Sequence, residues 1–225
     1  MAGAAVGKSF EKAWPFFKDA GLFVGVSGRA GGNGIDLWNY DKMAVPKGSE
    51  ELACAKLYGL SKVVRKDILN REFLADPEFV VFYALEDQEN AASLHSAFKD
   101  PAYALSLGSS DDIALVRKVS ALCAIGGGEE SDSFTDTLLP GDHADDVRFD
   151  WDALKRACVV QTLKAPMVRP LIVDFEFKGD ERHGSRYRLF TFLSGHQRIL
   201  NPQRAFRFPN VVSPVPLYGL EDEEQ

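Results

Sequence analysis

The stretch Glu78-Phe79-Val80-Val81-Phe82-Tyr83-Ala84-Leu85 decides how the chain is divided. It is rich in β-branched and aromatic side chains, follows the turn-forming Asp76-Pro77, and reads as a strand. Beyond it, Ala91, Leu94, His95 and Phe98 recur at i, i+3, i+4 and i+7, the spacing of one helical face, and Asp100-Pro101 stops that helix. Tyr103 to Leu107 then reads as another strand. Upstream, Leu22 to Val26 is a short apolar run ending at the glycine-rich Gly28 to Gly34, hence a strand and a turn, and Phe10 to Phe17 is a helical stretch broken by Pro15.

Helix, strand, strand, helix, strand is the order of a ferredoxin-like (RRM-like) split βαβ unit without its first strand, so the fold class expected is α+β. Residues 1–120 form that domain. Residues 28–71 are an insertion between its strands, and connections this long usually carry function or stay unstructured. Gly126 to Asp146 is rich in glycine, serine and aspartate, and 121–149 is expected to be a flexible loop. A β-rich extension over 150–220 follows, with Asp150 capping a helix at Trp151 to Arg156 and strands at 158–163, 171–177 and 187–193. Residues 221–225 read as an acidic tail.

The chain has 225 residues, 45% hydrophobic and 26% charged, enough to bury a full core. No run approaches the roughly 20 apolar residues of a membrane span, and no signal pattern follows Met1, so a soluble cytoplasmic protein is expected. Cys54, Cys123 and Cys158 lack metal or redox spacing and read as buried thiols. No cofactor or metal site is expected. The net charge of −7 is unevenly spread: residues 42–71 carry seven basic and three acidic side chains, 72–161 six and eighteen, and 162–220 nine and four. Two basic segments therefore flank an acidic middle, which permits a polyanionic partner without demanding one.

Arg71-Glu72-Phe73-Leu74-Ala75-Asp76-Pro77-Glu78-Phe79, followed by Pro101-Ala-Tyr-Ala-Leu-Ser-Leu107-Gly108-Ser109-Ser-Asp-Asp, resembles the Cas five family of CRISPR surveillance complexes. Gly21 to Arg29 is similar to that family's second strand, and Ala2 to Gly7 to the end of its first helix. Ser109 stands where many members have arginine, and the family's opening strand has no counterpart. The resemblance implies a non-catalytic, RAMP-type subunit of a type I Cascade complex in antiviral defence, holding the 5′ handle of the guide RNA. Its partners would be Cas seven backbone and large Cas eight-type subunits, and target DNA indirectly. It also implies an inserted thumb at about 36–70, and neighbouring strands short of a central partner at a cost of several kcal/mol.

Single-stranded RNA is held by cations along phosphates and aromatic faces against bases. The candidates are Arg29, Lys42, Lys47, Lys56, Lys62, Arg65, Lys66 and Arg71 for the first and Trp38 and Tyr40 for the second, with Tyr58 nearby. A solvated loop with packed aromatics is the plainer reading of the same residues. Two further functions stay open. His183 with Arg182, Lys178 and Tyr187 has the residue types of a metal-independent endoribonuclease, but a polar hairpin tip from Lys178 to Ser185 between two strands explains every residue and is the preferred reading. The acidic block suggests a protein-interaction module. His95 reads as a hydrogen-bonded core histidine, and His143 and His196 as isolated.

Overall fold

The computed structural model describes residues 1–107, 112–149, 151–156, 165–179 and 181–220, and shows a mixed α+β chain whose sheets are mostly antiparallel. It divides into two compact units, Met1–Gly28 with Phe79–Gln225, and Arg29–Glu78.

The first unit opens with α1 (Ala2–Ala5) and α2 (Phe10–Asp19). α2 runs straight through Pro15 instead of breaking there. A proline inside a helix loses one backbone hydrogen bond, and here the buried Ala13 and Phe17 offset that loss by packing with Leu22, Leu94 and Leu220. On the flank of α2, Trp14 Nε1–H donates to Asp174 Oδ1 at 2.9 Å and the Lys18 ammonium to Oδ2 at 3.0 Å. β1 (Phe23–Arg29) follows, and after the second unit come β4 (Glu78–Ala84) and α4 (Gln88–Lys99). Asp87 caps α4 by accepting the Asn90 N–H at 2.6 Å. Tyr83 stacks on Phe98 of α4, and burial raises its phenol above the usual range.

The strand expected at Tyr103 to Leu107 does not form; among the described residues only an isolated bridge, Ser106 to Ile113, is found there. A strand needs a neighbour to bond. β1 lies between β4 and the two-residue β11 (Tyr218–Gly219), and no other described strand joins that sheet.

Residues 121–149, expected to be a flexible loop, instead hold β5 (Glu129–Thr135), β6 (Leu138–Pro140) and β7 (Val147–Phe149). Their polar residues hide the pattern: Ser131, Ser133 and Thr135 share one face, while Phe134 and Leu139 are fully buried with Leu193, Ile199 and Ala205. α5 (Trp151–Arg156) lies where expected. β8 (Met167–Lys178) and β9 (Glu181–Phe192) form a long antiparallel pair and β10 (His196–Ala205) completes the set, giving sheets β5–β10–β7 and β6–β9–β8. Gly25 is required where the C-terminal segment crosses β1, because a Cβ there would stand 2.7 Å from the Pro216 carbonyl. The expected strand at 158–163, Cys158, Ser109, Asp150 and the tail 221–225 lie outside the described residues.

The second unit is a long antiparallel ribbon, β2 (Gly32–Ala44) with β3 (Val63–Ala75), connected through α3 (Ser49–Leu57). The glycine-rich segment read as a turn is therefore the start of a strand. Gly34 has no side chain because the Phe73 ring lies across from it; a Cβ would meet that ring at 2.6 Å. Asp76, at φ 46°, turns the chain out of β3.

Candidate nucleic-acid interface

The ribbon's register sorts the candidate residues by face. Trp38 pairs with Leu69, Tyr40 with Asp67, Lys42 with Arg65 and Asp36 with Arg71. Directly paired residues project to the same side of a sheet, and alternate residues share that side. Trp38, Tyr40, Lys42, Arg65 and Arg71 therefore lie on one face. Both aromatics keep exposed surface, 44% for Trp38 and 37% for Tyr40.

Two diagonal contacts order this face. The Arg71 guanidinium sits over the Trp38 ring, 5.1 Å from its centroid, a cation–π contact. One step along, Lys42 reaches diagonally to Asp67 in an ion pair. The hydrogen bond raises the Lys42 pKa, and the same bond lowers that of Asp67. Arg65 binds Glu51 at the start of α3 through two nitrogens, and Glu51 also accepts the Lys47 N–H at 2.7 Å. The Arg65 bond and then the Lys47 bond hold the Glu51 carboxyl below its usual range. Asp36, Asp67 and Glu51 are the residues that charge counting along the sequence missed. A net count registers them as negative charge but says nothing about which cation each one meets.

The other candidates do not join this face. Lys66 pairs with Asp41 on the opposite side, among the exposed Ile35, Leu37, Met43, Val64 and Ile68. Arg29 stands at the foot of the ribbon, 3.2 Å from Glu78. Lys47 precedes α3, Lys56 lies in it, and Lys62 lies in the connection to β3. Tyr58, just after α3, is 69% exposed.

In the other unit, His183 and Tyr187 sit four residues apart on β9, about 13 Å at roughly 3.3 Å per residue. Their side chains are not brought together. His183 lies 3.3 Å from Glu181, and Arg182 packs over the rings of Phe10 and Phe175. The turn expected to span Lys178 to Ser185 is shorter, with His183 already in the ladder opposite Glu176.

His143 and His196, read as isolated, are both engaged. His143 is buried, with Nε2 2.9 Å from the Pro140 carbonyl and Nδ1 3.4 Å from Asp146. His196 lies between Thr135 Oγ1 at 3.0 Å and Ser133 Oγ at 3.2 Å, in the wall of a recess of about 530 Å³. His95 is hydrogen-bonded as expected, 3.0 Å from the Ser120 carbonyl, but is only half-buried and not a core residue. Cys54 and Cys123 are exposed, not buried. Among the described residues no cluster of His, Cys, Asp or Glu has metal-site geometry, and no helix is long and apolar enough to cross a membrane.

No protein-family profile, curated protein or solved structure matches this chain.

Proposed function

We propose that this chain is an RNA-binding subunit, and that the Trp38–Arg71 face of its ribbon grips single-stranded RNA. The observation that carries the reading is the placement of two exposed aromatic rings and three cations on one side of an antiparallel pair of strands. Bases have π-faces that stack on Trp38 and Tyr40 irrespective of sequence, and phosphates follow Lys42, Arg65 and Arg71. A guanidinium over an indole adds cationic surface beside the ring on which a base can stack. The acids on this face set a threshold: RNA has to compete with Asp67 for Lys42 and with Glu51 for Arg65, which favours a dense polyanion over a single phosphate.

The motifs at Arg71–Phe79 and Pro101–Leu107 support a more specific version. In it the chain is a member of the Cas five family, the RNA is the 5′ handle of a CRISPR guide, the ribbon is the thumb, and the fold around β1, β4, α2 and α4 is ferredoxin-like. The subunit then caps a backbone of Cas seven copies beside a large Cas eight-type subunit, positions RNA without cutting it, and leaves target recognition to base pairing.

Electrophoretic binding to a labelled single-stranded RNA, with the products scored on the same gel, tests both versions. Retained, uncut RNA that is released by salt and lost in Trp38→Ala and Arg71→Glu variants is expected. Binding that these substitutions leave intact removes the ribbon face from the reading. Cut RNA removes the non-catalytic role.

A further inference from the structure

The period of two sorts the ribbon's apolar residues as well as its charges. Ile35, Leu37, Met43, Val64, Ile68 and Leu74 lie on one side. The three aromatic residues of the two strands, Trp38, Tyr40 and Phe73, all lie on the other, with Leu69 opposite Trp38. Phe73 pairs with Gly34, which precedes Trp38 by four residues, and so stands toward the foot of the ribbon. The Asp36–Arg71 pair comes between the two rings.

The far end of the Phe73 ring occupies the space over Gly34, where a Cβ would stand 2.6 Å from Cζ, so the ring lies down across the ribbon. An aromatic ring packed on a cross-strand glycine stabilises a sheet, and that use takes one side of the ring. Phe73 nevertheless remains 47% exposed, as much as Trp38 at 44%. The acid between the two rings is engaged locally: Asp36 accepts the Leu37 N–H at 2.8 Å.

Alternate residues of an antiparallel strand stand about 6.8 Å apart. Phe73, Arg71, Trp38 and Tyr40 therefore mark four successive rungs spanning about 20 Å. Each step is about twice the roughly 3.4 Å rise of bases stacked in a helical strand. Adjacent rungs thus fit bases that have been splayed apart, and not neighbours within a stacked or paired helix.

We propose that Phe73 is a third base platform, and that the ribbon face is a four-rung track from Phe73 to Tyr40 for an unpaired, unstacked stretch of RNA. The proposal rests on the RNA reading above and carries the contact surface toward the foot of the ribbon, past the Arg71–Trp38 contact.

Fluorescence anisotropy with a labelled oligouridylate, whose bases stack weakly on one another, tests it. Phe73→Leu keeps an apolar side chain on Gly34 but removes the π-face, and is expected to weaken binding about fivefold or more. The slope of log K against log salt stays unchanged, because no phosphate contact is lost. Phe73→Tyr restores the parent affinity. Ultraviolet crosslinking of the same oligomer to the parent chain, mapped by mass spectrometry, yields an adduct on Phe73 as well as on Trp38 or Tyr40. Parent-like binding by Phe73→Leu where Trp38→Ala has lost it, or adducts on Trp38 and Tyr40 with none on Phe73, overturns the proposal and leaves the RNA reading standing. A loss that Phe73→Tyr does not restore confines Phe73 to packing and overturns the proposal as well. Failure of the parent chain to bind overturns both. The crosslink needs no variant, so it decides even if a substituted chain fails to fold.

Discussion

Replacing Asp67 by asparagine asks whether RNA uses Lys42. Asp67 and Lys42 form the ion pair that neutralises the middle of the proposed RNA face. Asparagine keeps the shape and its side-chain carbonyl still accepts a hydrogen bond, so the ribbon register is undisturbed, but the cation loses its counter-charge. Each phosphate neutralised on single-stranded RNA contributes about 0.7 to the slope of log K against log salt. If Lys42 is held back by Asp67, the variant's slope steepens by up to about 0.7, which between 50 and 200 mM salt corresponds to roughly a 2.6-fold larger loss of affinity. The assay is fluorescence anisotropy of a labelled single-stranded RNA at several salt concentrations. Asp41→Asn, which removes an equal charge opposite Lys66 on the other face, is the control. Equal slopes for Asp67→Asn and the parent chain, or the same steepening in Asp41→Asn, would refute the assignment of RNA to this side.

Three further outcomes concern the rest of the molecule. Phe134→Ala empties a fully buried position and is expected to cost about 3–5 kcal/mol, read as a lowered denaturation midpoint at unchanged slope. Gly25→Ala drives a methyl toward the Pro216 carbonyl and Leu217 and is expected to cost about 1–3 kcal/mol, whereas the same change at Gly126, which has open space around it, costs little in the same measurement. Burial pushes the Asp174 carboxyl up, but bonds from Trp14, Lys18 and the Phe175 N–H together hold it below its usual value. A lowered folded pKa adds stability above the unfolded value, near 4, and that stability disappears as pH falls through the folded value. Asp174→Asn should therefore be less stable than the parent at neutral pH, with the difference shrinking in acid unfolding curves as pH falls below the unfolded carboxylate value and through the lowered folded one.

Several elements were legible because a single pattern determines them. β4 and α4 declare themselves by continuous apolar content and by a helical stripe ending before Pro101, and Trp151–Arg156 is the short helix expected. β5 and β6 were hidden because Ser131, Asp132, Ser133 and the connecting Asp136 give this stretch the composition of a loop, although Phe134 and Leu139 are fully buried. Tyr103 to Leu107 failed in the opposite sense: the residues suit a strand, but strand formation depends on a neighbour that local composition cannot supply. The RNA candidates were found by residue type and placed only by register. Lys66 and Arg65 are adjacent in sequence and indistinguishable by charge, yet a period of two sends them to opposite faces.

The return of Tyr218 and Gly219 to bond Val24 and Phe23, with Leu220 packed against Phe17 and Leu22, has a consequence for biosynthesis. The first-made sheet strand waits for residues that are translated almost two hundred codons later. Until these leave the ribosome, the nascent amino-terminal helices have an unfinished hydrophobic seat and β1 lacks one flank. This unit is thus expected to complete its fold only once residues 218–220 have emerged and not progressively before then, with chaperone demand concentrated in that interval.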